Sequence, residues 1–130
     1  MESARAMLKS MRETLLIGVG GFVGANARYW GSLLLARSIP GPWPTLGINL
    51  LGSFLLGILV GWNQGESSRL LLGVGLLGGF TTFSTFSLEL AGMMPGPAWG
   101  KGVLYACMSV VFGVLLGMAG IAVGRILPHR

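Results

Sequence analysis

Two stretches limit the fold before anything else is considered. Residues 43–62 run for twenty positions without a charged side chain, and residues 102–124 are likewise uncharged. Twenty residues of helix span about 30 Å, the thickness of the hydrocarbon layer of a bilayer. Trp43 and Trp62 stand at the two ends of the first stretch, where aromatic belts meet the headgroups. Inside lipid the backbone has no water to bond, so a long apolar run of this kind reads as a helix that satisfies itself. The overall balance agrees. Only 10% of residues are charged, against about 25% in a soluble domain. There is no aspartate, and the four acids are Glu2, Glu13, Glu66 and Glu89.

The net charge of +5 is not a nucleic-acid footprint, because the basic residues sit mostly at the ends of apolar runs, where they meet headgroups and set topology. Cys107 is the only cysteine, which excludes an intrachain disulfide and a cysteine metal cluster. Its place in an apolar run predicts a small buried hydrophobe. His129, next to last in the chain, is expected to be solvated.

The 130 residues read as one membrane domain, 1–130, made of a polar tail over 1–13 and four spans near 14–36, 45–62, 69–93 and 99–126. Pro40, Gly41, Pro42 and Pro44 stop helix continuation between the first two spans, and Pro95-Gly96-Pro97 does so between the last two. Ala25-Asn26-Ala27 has the small residues of a signal-peptide cleavage site, but the apolar pattern continues through Trp30 to Ala36 and gives a full span. Gly20-xxx-Gly24 allows close helix approach, and Gly113, Gly117, Gly120 and Gly124 supply similar spacing in the last span. Arg28 reads either as an interfacial anchor or as a positive group at the mouth of an anion path. With the N-terminus inside, Arg5, Lys9, Arg12, Arg69, Arg125 and Arg130 lie inside, against Arg37 and Lys101 outside, which favours inside termini. Without the tail the count is three against two, a bias weak enough for insertion in either orientation.

The stretch 78–87, GGFTTFSTFS, is the least lipid-like part of the third span. Five of the seven residues 81–87 carry hydroxyls, and the other two are Phe83 and Phe86. Gly78 and Gly79 each weaken a helix by roughly 1 kcal/mol relative to alanine. The expectation is a third helix broken near its middle and turned toward the protein interior, since broken backbone at membrane depth needs protein or a water-filled cavity to satisfy it. Glu89 follows within the same span; it is either a functional intramembrane acid or a group near the far interface. Asn49 lies one turn inside the second span, where a buried amide needs a partner, and one reading of it is a helix–helix hydrogen bond. Tyr105 and Ser109 are i and i+4 and share a face. With Thr45 and the hydroxyls of 81–87 these are neutral hydrogen-bond donors, which suit an anion. Phenyl edges are weakly positive and would help.

The motifs GGFVGANARYW at 20–30, TLGINLLGS at 45–53 and GGFTTFSTFS at 78–87 closely resemble the Fluc/CrcB family of fluoride channels, small four-helix bacterial membrane proteins. The resemblance covers essentially the whole chain after the tail. It implies an all-α integral membrane fold, an antiparallel homodimer of dual-topology subunits in the cell (inner) membrane, and passive, fluoride-selective export that confers fluoride resistance. By resemblance Asn49 donates its amide to fluoride, Phe83 and Phe86 present ring edges to it, and Ser109 is a pore-lining hydroxyl. Thr45, Glu89 and Tyr105 match a polar track beside the phenylalanines. The backbone carbonyls of Gly78 and Thr81, from both subunits, would hold a structural sodium ion at the dimer interface. Arg28 matches the arginine near the end of the family's first helix. Where some members carry a second hydroxyl one turn after Ser109, this chain has Gly113, and its N-terminal tail is long and basic.

Two other classes are weighed against this. A small multidrug-type antiparallel exporter relies on a glutamate in its first helix, and the first span here has none. A non-transporting membrane scaffold would share the glycine packing but has no need of the hydroxyl-rich stretch. An enzyme is not expected: the one histidine is terminal and no serine has a base within its span.

Overall fold

The computed structural model describes residues 2–128, so the expected positions of His129 and Arg130 lie outside the described residues. Helix α1, Glu2–Ala36, is 35 residues long, about 52 Å at the usual rise. The polar tail is therefore the first three turns of the first helix. Its alanines, methionines, lysine and arginines are good helix formers and no glycine or proline precedes Gly18. The extension is also held from outside: the Lys9 ammonium lies 3.5 Å from Glu13 and 3.4 Å from Glu66. Arg12 donates to Ser67 Oγ at 2.8 Å. The bond to Glu66 first, and then its charge and that of Glu13, push the Lys9 ammonium above the ordinary lysine range.

Gly41, at φ +81°, turns the chain into α2, Trp43–Gly61, whose first turn carries Pro44, where proline's missing N–H costs nothing. Asn63 takes the left-handed conformation at φ +51° in the loop that follows, a position asparagine tolerates. The next helix, α3, covers 66–80. It begins as a single α-turn, Glu66–Ser68, widens into π-type turns over Arg69–Leu77, and ends as Gly78–Phe80. After two extended residues comes α4, Phe83–Met93, and then α5, Trp99–Arg125.

The helices meet in two close pairs, each sealed by glycine. Between α2 and α5, a Cβ added at Gly57 would strike the Gly117 carbonyl, and one at Gly61 the Ile121 carbonyl. From the other side, one at Gly120 would strike the Phe54 carbonyl and one at Gly124 the Ile58 carbonyl. Between α1 and α3, Gly20 and Gly24 lie on the Leu71 and Leu76 carbonyls. A Cβ at Gly75 would sit 2.7 Å from the Ile17 oxygen, and one at Gly79 2.8 Å from the Gly21 oxygen. Lipid tails are as apolar as leucine, so helices in a membrane gain little by hiding leucines from them; backbone-to-backbone contact through small residues is what holds them.

Burial is inverted relative to a water-soluble bundle. Among the described residues the buried apolar side chains are few: Leu46, Ile48, Leu59, Leu77 and Tyr105. Meanwhile Val103, Leu104, Val110, Val111, Phe112 and Leu115 of α5 face outward. An apolar exterior of this extent marks a membrane or interaction surface. Cys107 shares this outward face and is exposed, which corrects its expected burial. On a membrane helix the outward face can be as apolar as the interior, so an apolar sequence position does not imply burial. Among the described residues, Trp43–Gly61, the interrupted stretch Glu66–Met93 and Trp99–Arg125 are long and apolar enough to cross a bilayer. With α1 they make four long helical stretches; α1 is the most polar of them, its glycines, Asn26 and Arg28 diluting the leucines.

Candidate functional site

The site is built where α3 gives way to α4. Thr81 (φ −82°, ψ 156°) and Thr82 (φ −148°, ψ 118°) are extended, while Gly78 (φ −64°, ψ −36°) is still helical. The glycines are thus not the bend. Gly79 is small because α1 passes against it, and the change of course falls on the threonines, which are extended-backbone formers.

Two extended residues release backbone groups, and each released group has a specific destination. The Thr82 N–H, which in a helix would bond the Gly78 carbonyl, donates to Asn49 Oδ1 at 2.8 Å. Asn49 Nδ2 donates back to the Thr82 carbonyl at 2.9 Å. The amide therefore clamps one residue by both its backbone groups, and a flipped amide would set donor against donor and acceptor against acceptor. One Asn49 N–H is left over, since the NH2 group carries two. Thr82 also caps α4: its Oγ1 accepts from the Thr85 N–H at 3.2 Å. That N–H is the one a continuous helix would have given to the Thr81 carbonyl. Arg28 crosses from α1, and its Nε donates to the Gly79 carbonyl at 3.2 Å. A cation at a helix C-terminus is favourably placed. Its Nε is thus engaged at the end of α3. Gly52 of α2 makes room for the Thr81 methyl group.

A second polar cluster lies one to two turns further along α4. Thr45 Oγ1 donates to Glu89 Oε1 at 2.8 Å, and the Tyr105 hydroxyl donates to Oε2 at 2.7 Å. Tyr105 is fully buried and Thr45 nearly so. Glu89, itself half-buried, is therefore held by two buried hydroxyls from neighbouring helices. Tyr105 also ends an aromatic row. Its ring lies 5.1 Å from Phe86, Phe86 lies 5.6 Å from Phe83, and Trp43 closes on Tyr105 edge-on at 6.4 Å. Phe83 itself is 79% exposed. It borders an open cleft of about 230 Å³ shared with Asn49, Gly52, Ser53, Leu56, Thr81 and Thr82.

The structure brings together Thr45, Glu89, Tyr105, Phe86 and Phe83 as one track, with Asn49 reaching the Phe83 end through the cleft. Ser109 shares the Tyr105 face, but its hydroxyl proton is given to the Tyr105 carbonyl at 2.8 Å. The same back-bonding takes Thr81 to Leu77 (3.0 Å) and Ser87 to Phe83 (2.9 Å). The expected array of free hydroxyl donors is correspondingly smaller. It comprises the spare Asn49 N–H and the Thr82, Ser84 and Thr85 group, which is linked internally at 3.1 and 3.2 Å. Thr82 as clamp and cap and Gly52 as its clearance were not singled out from sequence; the β-branched pair next to a glycine-rich helix end was the available signal.

Fold and site together define a multi-pass membrane protein with a polar, aromatic-lined seam at membrane depth. The chain belongs to the CrcB family: the family model described as "CrcB-like protein, Camphor Resistance (CrcB)" matches residues 15–121. It is 45% identical over 124 residues to a "Fluoride-specific ion channel FluC" of Novosphingobium aromaticivorans, covering 88% of this chain and 98% of the relative. It is 46% identical over 116 residues to "Fluoride-specific ion channel FluC 1" of Geobacillus kaustophilus, covering 88% and 100%. A FluC of Caulobacter vibrioides is 41% identical over 123 residues, covering 88% and 97%.

Proposed function

We propose that this protein is a fluoride-selective channel that lets fluoride leave down its electrochemical gradient, and that it works as an antiparallel homodimer of four-span subunits. Support for the ion comes from the relatives, which bear that name over nearly their whole length. Support from the chain itself is the Asn49 amide: clamped on Thr82 by two bonds, it holds its remaining N–H in the cleft beside the exposed Phe83. That observation carries the reading. A donor fixed in place by its own neighbours costs little reorganisation when it replaces a water on a small anion.

In this reading Phe83 and Phe86 offer ring edges, and Ser109 is a pore-lining residue whose own proton rests on the Tyr105 carbonyl. Thr45, Tyr105 and Glu89 form the polar track past the rings. Glu89 is fixed by its two donors, so the carboxylate is turned toward Thr45 and Tyr105 rather than into the anion's way. The extended pair Thr81–Thr82 is the break of the third span.

The carbonyls of Gly78 and Thr81 fit a cation site. Their helical donors, the N–H groups of Thr82 and Thr85, are bonded to Asn49 and to Thr82 Oγ1 instead, which leaves both oxygens with lone pairs to offer. Paired with the same carbonyls of a second subunit, they would hold the structural sodium ion, which supplies positive charge at the interface and no chemistry. Hard oxygen donors suit such an ion.

The test is anion efflux from proteoliposomes carrying the purified protein, read with ion-selective electrodes. Fluoride lost rapidly with chloride retained is the expected result. Equal loss of both, or none from a folded protein, would overturn it.

A further inference from the structure

The cleft at Asn49 is not isolated. Leu56, which lines it, also lines a larger open groove of about 610 Å³ between α2 and α3. The groove's walls are apolar in its depth, and its far end is polar, formed by Asn63 and Gln64 of the loop after α2 and by Arg69. The two spaces together follow one face of α2 from the end of that helix to the break. Val60, near the polar end, is eleven residues from Asn49, about 16 Å along the helix.

Arg69 is the charged group of this groove, and it is exposed. The carboxylate nearest in sequence, Glu66, is engaged by Lys9 at 3.4 Å. No ion pair with Arg69 occurs among the described residues. A guanidinium with no carboxylate partner among the described residues, at the rim of a low-dielectric groove, focuses positive potential along it. The two amides beside it add neutral groups that can replace water on an arriving anion without fixing it there.

From this we infer that Arg69, with Asn63 and Gln64, is the anion-collecting mouth of a path that runs past Leu56 to Asn49 and Phe83. The inference rests on the channel reading above and deepens it. Arg69 acts at a distance, through its field, so it is a positioning and steering residue that raises the local concentration of small anions. It does not choose among them; selectivity lies deeper, at the amide and the rings.

A field acting over about 16 Å is open to screening. The Debye length is about 30 Å at 0.01 M salt and about 3 Å at 1 M. The experiment is fluoride efflux from vesicles of phosphatidylcholine alone, at about 0.01 M and about 1 M of an impermeant salt. It compares the unaltered protein with Arg69→Gln and Arg69→Lys. The expected result is efflux several-fold slower, roughly 3–10-fold, for Arg69→Gln at low salt, approaching the unaltered rate at high salt, with Arg69→Lys close to unaltered throughout. Because Arg69 is exposed, folding of the variants is checked simply by their elution as the same oligomer.

Three results overturn the inference alone. One is Arg69→Gln conducting normally at low salt. Another is a deficit of the same size at both salt concentrations, which is the mark of a structural role. The third is a deficit seen only when phosphatidylglycerol is added, which would make the groove a lipid headgroup site. Absence of fluoride efflux from the unaltered protein overturns the channel reading, and this inference with it.

Discussion

Replacing Asn49 by alanine removes both bonds of the clamp and the proposed ligand at once, and the two consequences can be read separately. The lost bonds are 2.8 and 2.9 Å, part-buried, and join α2 to the point where α3 stops. Each is worth about 1 kcal/mol net, and stranding the Thr82 N–H and carbonyl at membrane depth adds a further penalty, for a total of about 2–4 kcal/mol. For a chain of this size that corresponds to a fall in melting temperature of roughly 10 °C. The flux effect is independent: an N–H bonded to an anion is worth about 1.5–3 kcal/mol, or about 10–150-fold in rate if it is lost at the highest barrier. Thermal unfolding in detergent gives the first number and fluoride efflux from proteoliposomes the second. Asn26→Ala is the control. Among the described residues its amide bonds only the Phe22 carbonyl of its own helix, at 2.7 Å on an exposed face, and its loss should change stability by less than about 0.5 kcal/mol. If Asn49→Ala melts and conducts like the unaltered protein, the clamp argument is wrong. If it loses stability but not flux, the amide is a brace and not a ligand.

Gly24→Ala should prevent α1 from closing on α3, because the new methyl meets the Leu76 carbonyl, whereas Gly18→Ala meets nothing within 4 Å and should be tolerated; yield of folded protein after extraction distinguishes them. Tyr105→Phe and Thr45→Val each remove one donor from Glu89 and should each cost about 1–2 kcal/mol. Because both serve one carboxylate, the double variant should deviate from additivity by at least 0.5 kcal/mol in a double-mutant cycle, roughly the smallest coupling expected for groups in one network; strict additivity would show that the two bonds do not act together. The Lys9 contact with Glu66 and Glu13 should persist through neutral pH. Its ammonium is held above 10.5 in the folded protein, so the stabilisation is complete below that value and is lost as pH rises past the folded one. Spin labels at positions 5 and 65 should keep their separation across neutral pH and drift apart only once the pH has risen past the ordinary lysine range; separation on crossing neutrality would contradict the assignment.

Much of the fold was legible because a bilayer asks for so little. Uncharged runs and prolines place spans near 45–62 and 99–126, and the helices there run Trp43–Gly61 and Trp99–Arg125, since such boundaries depend on local rules. The small-residue spacing Gly20-xxx-Gly24 read correctly as a contact, as did Tyr105 and Ser109 sharing a face. Cys107 read wrongly, because hydropathy cannot tell a lipid-facing position from an interior one. The tail over 1–13 read as a separate polar segment because its anchors, Glu66 and Ser67, lie more than fifty residues away in sequence.

What the sequence determined by itself is a helical membrane chain with a polar, aromatic interruption in its third apolar stretch. Length, charge and glycine spacing suffice for that. The tertiary structure decided what the polar groups do. Asn49 has both backbone groups of Thr82 within reach only because Gly52 lets α2 lie against Thr81. Arg28 caps α3 only because Gly24 and Gly79 let α1 pass that close. Glu89 is held by two hydroxyls that come from α2 and α5. A hydrogen bond is a matter of tenths of an ångström between groups far apart in the chain, and the packing of the backbones sets that distance.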